Sequence, residues 1–176
     1  VLTGLTRLRQ ICNSPVLLKD GHSGDHAVKI EILTEQIENK SKEHKILVFS
    51  QFVEMLDLIK AKLDEKNIRY EYLTGQTRNR GAKVQHFQNN EEVRVFLISL
   101  KAGGTGLNLT EADYVYLVDP WWNPAVENQA IDRSYRIGQT KNVVAVRMIC
   151  SGTIEEKMMN LQKKKKKLAQ DLITTE

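Results

Sequence analysis

Cysteine is nearly absent: Cys12 and Cys150 are the only two in 176 residues. They lie far apart in the sequence and form no CxxC pair, which removes the paired-cysteine redox and metal motifs. Two reduced, mostly buried thiols of an intracellular protein are expected. No run of about 18 apolar residues occurs, so no segment reads as a membrane-spanning helix. The opening VLTGLTRLRQ sets arginines in an amphipathic pattern and lacks the apolar stretch of a signal peptide. It begins abruptly at Val1, as an excised piece of a longer chain would. The four histidines do not cluster. His22 and His26 stand four apart, but Gly21, Ser23 and Gly24 around them suggest a solvated loop rather than a metal site. A GxxxxGK[ST] phosphate loop is missing throughout.

What remains is ordinary in bulk and particular in detail. Hydrophobic residues make up 41% and charged ones 27%, enough for one domain with a substantial core. The net charge of +4 suits an anionic partner, but many domains are this basic. Residues 1–20 read as a helix ending near Asn13, stopped by Pro15 and followed by a polar linker, KDGHSGDH. Apolar strands are expected at 45–50, 69–73, 93–99, 114–119 and 143–149, with amphipathic helices between them. Ser50 is a candidate N-cap for the helix carrying Phe52, Leu56, Ile59 and Leu63. Asn123 and Pro124 open another helix, which Gly138 closes. Thr153 and Glu156 form a capping-box pattern before a last helix with Ile154, Met158, Leu161, Leu168 and Leu172 inward. Alternating strand and helix predict an α/β fold, a parallel sheet with helices on both faces and functional residues at the strands' carboxyl ends.

Three segments carry chemistry. LKAGGTGLNLTEAD (100–113) follows a strand, and its glycines allow tight turning and close approach to a ligand. Successive N–H groups there could hold a phosphate, or the loop could be a structural turn. A dinucleotide fingerprint fails, because Gly104-Thr105-Gly106 lacks the third glycine. In QAIDRSYRIGQ (129–139), Gln129, Arg133 and Arg136 share one helical face. Such donors suit a polyanion, unless the face is solvated and Asp132 pairs with Arg136. In DPWWNP (119–124) either one tryptophan packs and the other lies near the surface, or both pack within the loop.

Together with SQF (50–52), YLTGQT (72–77), RLRQICNSP (7–15) and TIEEKMMNLQKKK (153–165), these segments resemble the C-terminal helicase lobe of Swi/Snf-type DNA-dependent ATPases of helicase superfamily two. The resemblance covers nearly the whole chain, and DPWWNP paired with RIGQ is its specific mark. Asn13-Ser14-Pro15 stands where the family usually has Asn-His-Pro, and Tyr135 where it often has His, a variant associated with bacterial members. The resemblance implies a RecA-like lobe at 26–152, a leading helix and linker at 1–25 and a bracing helix at 153–176. It also implies ATP with Mg2+ in a cleft between two lobes, both held mainly by the N-terminal lobe. Arg133 and Arg136 would be the arginine fingers, with Gln129, Gly104, Thr105 and Gly106 beside the nucleotide. Ser50, Gln51, Thr74, Gly75, Lys101, Gly103 and Trp122 would meet the backbone of double-stranded DNA.

The same resemblance implies translocation without strand separation, with inactivity of this lobe alone. Nucleosomes or polymerase complexes are the implied targets, in the nucleoid if bacterial and the nucleus if eukaryotic. The lysines at 163–167 fit a further DNA contact or a solvated face. Two alternatives share the fold: an RNA-helicase lobe, whose HRxGRxGR-like ending RIGQTK lacks, and a docking module without a catalytic role.

Overall fold

The computed structural model describes residues 1–18, 27–103, 106–135 and 141–173. Five strands form one parallel sheet: β1 (Lys45–Ser50), β2 (Tyr70–Leu73), β3 (Val95–Ser99), β4 (Ala112–Leu117) and β5 (Val144–Arg147), in the order β2-β3-β1-β4-β5. Every neighbouring pair is parallel, with Val48 opposite Leu97 on one side and Tyr116 on the other. The helices are α1 (Leu2–Asn13), α2 (Val28–Lys40), α3 (Val53–Glu65), α4 (Arg80–Asn89), the short α5 (Leu100–Gly103), α6 (Pro124–Asp132) and α7 (Ile154–Ile173). A 3-10 turn at Pro15–Leu18 follows α1. No described helix is long and apolar enough to cross a membrane.

The two-residue period of a strand divides the core. Ile46 and Val48 join Val95, Leu97 and Tyr116 under Leu33, Ile37, Leu56 and Ile59 of α2 and α3. Leu47 and Phe49 point the other way, toward Phe96, Ile98, Phe87 of α4 and Ala130 of α6. All six residues of β1 are buried, as a central strand of a parallel sheet requires.

Several expectations need correction. Ser50 does not cap α3. Phe52 occupies the cap position without a side-chain bond, while Ser50 Oγ accepts the Phe52 N–H at 3.1 Å and donates to Asp119. Asn123 does cap α6, accepting the Ala125 N–H at 3.0 Å. α6 stops at Asp132, before Gly138, which lies outside the described residues. The Arg133 carbonyl that would carry the helix onward instead accepts the Leu109 N–H at 3.0 Å. At α7 the capping box is shifted: Thr153 accepts the Glu155 N–H and Glu156 accepts the Gly152 N–H. Met158 is inward as expected, but Leu161, Leu168 and Leu172 are exposed. Glu155 and Gln162 are buried instead, because the surface that α7 meets is polar: Lys29, Glu127 and the Trp121 carbonyl. The linker at 19–26, with His22 and His26, also lies outside the described residues.

Candidate functional site

Four adjacent strands deliver their carboxyl ends to one edge of the sheet. In spatial order the chain leaves β2 at Thr74, β3 at Leu100, β1 at Gln51 and β4 at Val118. At about 4.8 Å per strand, this edge spans about 14 Å. Ser50, Gln51, Thr74, Gly75, Lys101 and Trp122 all lie along it or just beyond it.

Asp119 is the hub of this edge. It is buried and accepts from Ser50 Oγ, from the Gln51 N–H at 2.9 Å and from Asn13 Nδ2 at 3.0 Å. Asn13 in turn accepts from Lys29 at 3.0 Å, and Lys29 holds both oxygens of buried Glu155 at 2.7 and 2.8 Å. Beside this chain sits Arg9, only 3% exposed. Its Nη2 donates to Gln51 Oε1 and, at 2.9 Å, to the Pro120 carbonyl. Its guanidinium carbon lies 5.4, 5.6 and 5.8 Å from the ring centres of Phe52, Trp121 and Trp122, within cation–π range. Burial pulls this guanidinium below its usual pKa, and the charges of Asp119 and Glu155 oppose the shift.

A cavity of about 240 Å³ opens at the same edge, lined by Gln51, Leu100, Lys101, Trp121, Val126 and Gln129. Residues from four separate motifs therefore meet at one concave surface. Trp121 is half-buried against the α6 side of the core, and its backbone N–H donates to Glu127 at 2.9 Å. Trp122 is also half-buried, so neither tryptophan is free of packing. Glu127 is fully enclosed and neutralised by Arg147 at 3.0 Å.

Gly103 and Gly106 play different parts. Gly103 is buried, and a Cβ there would come within 2.7 Å of Phe49 Cε1. The structure thus supplies a packing reason for this glycine, at a position expected to touch DNA. Gly106 is exposed with φ +62°, a conformation that side chains resist. Gly104, Thr105 and Arg136 lie outside the described residues. Arg133 caps the end of α6 four residues after Gln129, tied to the glycine loop by the Leu109 bond. Its Nε is buried and has no hydrogen-bond partner among the described residues. At the far end of the edge, the Thr74 N–H donates to Thr77 Oγ1 at 2.9 Å, which leaves Gly75 exposed at the turn.

Arg9, Asn13, Asp119 and Glu127 were not singled out by sequence. Arg9 and Asn13 stand four apart, on one face of a helix, and that spacing was the available signal. The two cysteines, distant in sequence, also meet: both are free and half-buried, and Cys150 Sγ donates to the Cys12 carbonyl at 3.2 Å. Burial pushes the Cys150 thiol up to about 11. Lysines 163–167 are all exposed.

Residues 28–138 match the family model described as the helicase conserved C-terminal domain. The chain is 40% identical over 96% of its length to an uncharacterized ATP-dependent helicase of Mycoplasma pneumoniae, and spans 16% of that protein. It is 40% identical over its full length to the putative ATP-dependent helicase/translocase YwqA of Bacillus subtilis, and spans 20% of it. Among solved structures, the Sulfolobus solfataricus SWI2/SNF2 ATPase C-terminal domain superposes with a TM-score of 0.77 and 36% identity, covering 97% of this chain and 71% of that one. The chain belongs to the helicase conserved C-terminal domain family, as a C-terminal lobe of the Swi2/Snf2 type.

Proposed function

We propose that this lobe is the arginine-bearing half of an ATP-driven translocase that tracks along double-stranded DNA without separating its strands. One observation carries the reading: donors from separate motifs (Gln51, Lys101 and Gln129) line one cavity at the carboxyl edge. The Leu109–Arg133 bond holds the arginine helix against the glycine loop. An edge of about 14 Å matches roughly four nucleotides of one strand at 3.4 Å each. Contacts of this kind go to phosphates, so binding is sequence-tolerant and falls steeply with salt.

Arg133 and Arg136 act as fingers across a cleft. Charge developing on the γ-phosphate is stabilised by their guanidinium groups, an effect worth roughly 10³-fold or more. Among the described residues no acidic side chain lines the cavity, and Asp119 already accepts three hydrogen bonds. In this reading Mg2+ and the triphosphate are held mainly by a partner RecA-like lobe, and this lobe alone is inert.

The test compares the isolated chain with a protein joining it to an N-terminal RecA-like lobe. The chain alone should hydrolyse ATP at background rate, and the joined protein should be stimulated by duplex DNA. Arg136→Ala should abolish that stimulation and leave ATP binding intact. Robust turnover by the isolated chain, or unchanged turnover in the arginine variant, would refute the reading.

A further inference from the structure

The helix α1 is inside out. Its two buried residues are polar, Arg9 and Asn13, while Leu2, Leu8 and Ile11 are exposed. Burying a guanidinium is costly, and an apolar side chain of similar volume often packs as well or better. Packing alone therefore does not explain an arginine here. What an apolar side chain cannot do is donate to two loops at once. Arg9 does this: it joins Gln51, just after β1, to the Pro120 carbonyl, after β4.

The chemistry of that contact fixes a direction. Arginine only donates, so the end of the Gln51 amide facing it must be the oxygen. The Gln51 NH₂ group is then turned away from Arg9, on a side chain that lines the carboxyl-edge cavity. Without Arg9 the amide could turn either way, and its oxygen would repel a phosphate. The same guanidinium lies against the Trp122 ring and so limits where that ring can go.

We propose that Arg9 is a positioning residue: it orients Gln51 and Trp122 toward the DNA backbone, which makes α1 a structural part of the DNA track. This rests on the DNA-binding reading above. The effect is indirect, since Arg9 is itself buried and shielded from any ligand.

Trp121 and Trp122 are the only tryptophans in the chain, so intrinsic tryptophan emission reports this site alone. The experiment is a double-mutant cycle on the full chain with Arg9→Met, Gln51→Ala and the pair, measuring duplex affinity at low salt. Arg9→Met keeps the length and the contact with the rings but removes the donors. It should retain the wild-type circular dichroism spectrum, shift the tryptophan emission and weaken duplex binding about tenfold. The loss should be less than additive with that of Gln51→Ala, because the Gln51 part of it acts through the same amide. Arg9→Lys, which keeps a charge and a donor, should recover part of the affinity, and it replaces Arg9→Met in the cycle if that variant does not fold.

Fully additive losses would overturn the proposal, as would wild-type affinity in Arg9→Met. A wild-type chain that binds no duplex would remove the DNA reading and this inference with it. That result is distinguishable, because the emission shift of Arg9→Met does not require DNA.

Discussion

Two cations are buried over aromatic rings at opposite ends of the sheet. At the amino end, Lys45 is 4% exposed and lies 5.1 Å from the Phe87 ring centre. Its ammonium donates to the Phe87 carbonyl and, at 3.0 Å, to that of Asn90, where α4 runs out of intrahelical partners. At the carboxyl end, Arg9 reaches two loops from a helix outside the sheet. Burial pulls both cations below their usual pKa. Burial of charge is thus no sign of function by itself. Lys45 closes a helix end, and neighbouring pairs such as His44–Asp113 and Arg69–Glu92 are likewise local closures. Arg9 instead holds groups that have another surface to face.

The largest break in this comparison should come from Arg133 at the end of α6, whose buried Nε has no hydrogen-bond partner among the described residues. In a protein carrying both lobes, Arg133→Ala is expected to lower DNA-stimulated ATP hydrolysis by roughly 10³-fold with little change in ATP affinity. Steady-state rates and nucleotide titration measure the two quantities separately. Equal losses in both would make Arg133 a binding residue, and no loss would make it structural.

Gly103→Ala should come next, and should act on the fold. Its new methyl would meet Phe49 at 2.7 Å between two packed elements, so destabilisation of about 3 kcal/mol is expected from overpacking. Chemical denaturation reads the stability, and duplex titration of the folded protein should show unchanged affinity. A weakened affinity without loss of stability would return Gly103 to the DNA contacts.

Much of the fold was legible because its causes are local. KILVFS carries four consecutive apolar residues, Ile46 to Phe49, which suits a strand covered on both faces. Asn123 followed by Pro124 specifies a helix start by short-range chemistry alone. Of the candidate site, the glycine and arginine patterns led to an expected phosphate-bearing ligand, and the structure brings Gln51, Lys101 and Gln129 to one cavity. The burial of Arg9 and Asn13 was not, because what stabilises them is Asp119 and Pro120, more than a hundred residues away. The same distance effect misplaced the inward face of α7, whose neighbours are polar groups of other elements. Nor does a glycine in a loop reveal which need it serves: Gly103 avoids Phe49 and Gly106 adopts a left-handed turn.

Lys45→Met sharpens the contrast with Arg9→Met, since both replace a buried cation with the same side chain. Loss of the ammonium leaves the Phe87 and Asn90 carbonyls without their donor, and a cost of about 2 kcal/mol is expected. Duplex affinity of the folded protein should not move. If it falls as far as in Arg9→Met, the two ends of the sheet do not divide the work as argued.

The smallest effect tests how far the carboxyl edge extends as a track. Gly75 is exposed at the turn after β2, and an added Cβ would meet nothing within 4 Å. Its φ is outside the left-handed range, so alanine fits without strain. Alanine also has less freedom in the unfolded chain, and Gly75→Ala should stabilise the fold by about 0.4–1 kcal/mol. A thermal melt should rise by about 2 °C. If the Gly75 backbone approaches a phosphate, the methyl group stands in the way, and duplex affinity should fall about threefold, as for one weakened neutral hydrogen bond. Stability and binding would then move in opposite directions, which a change of fold cannot produce. A higher melting temperature with unchanged affinity would remove β2 from the track, leaving the three strands β3, β1 and β4 to carry it.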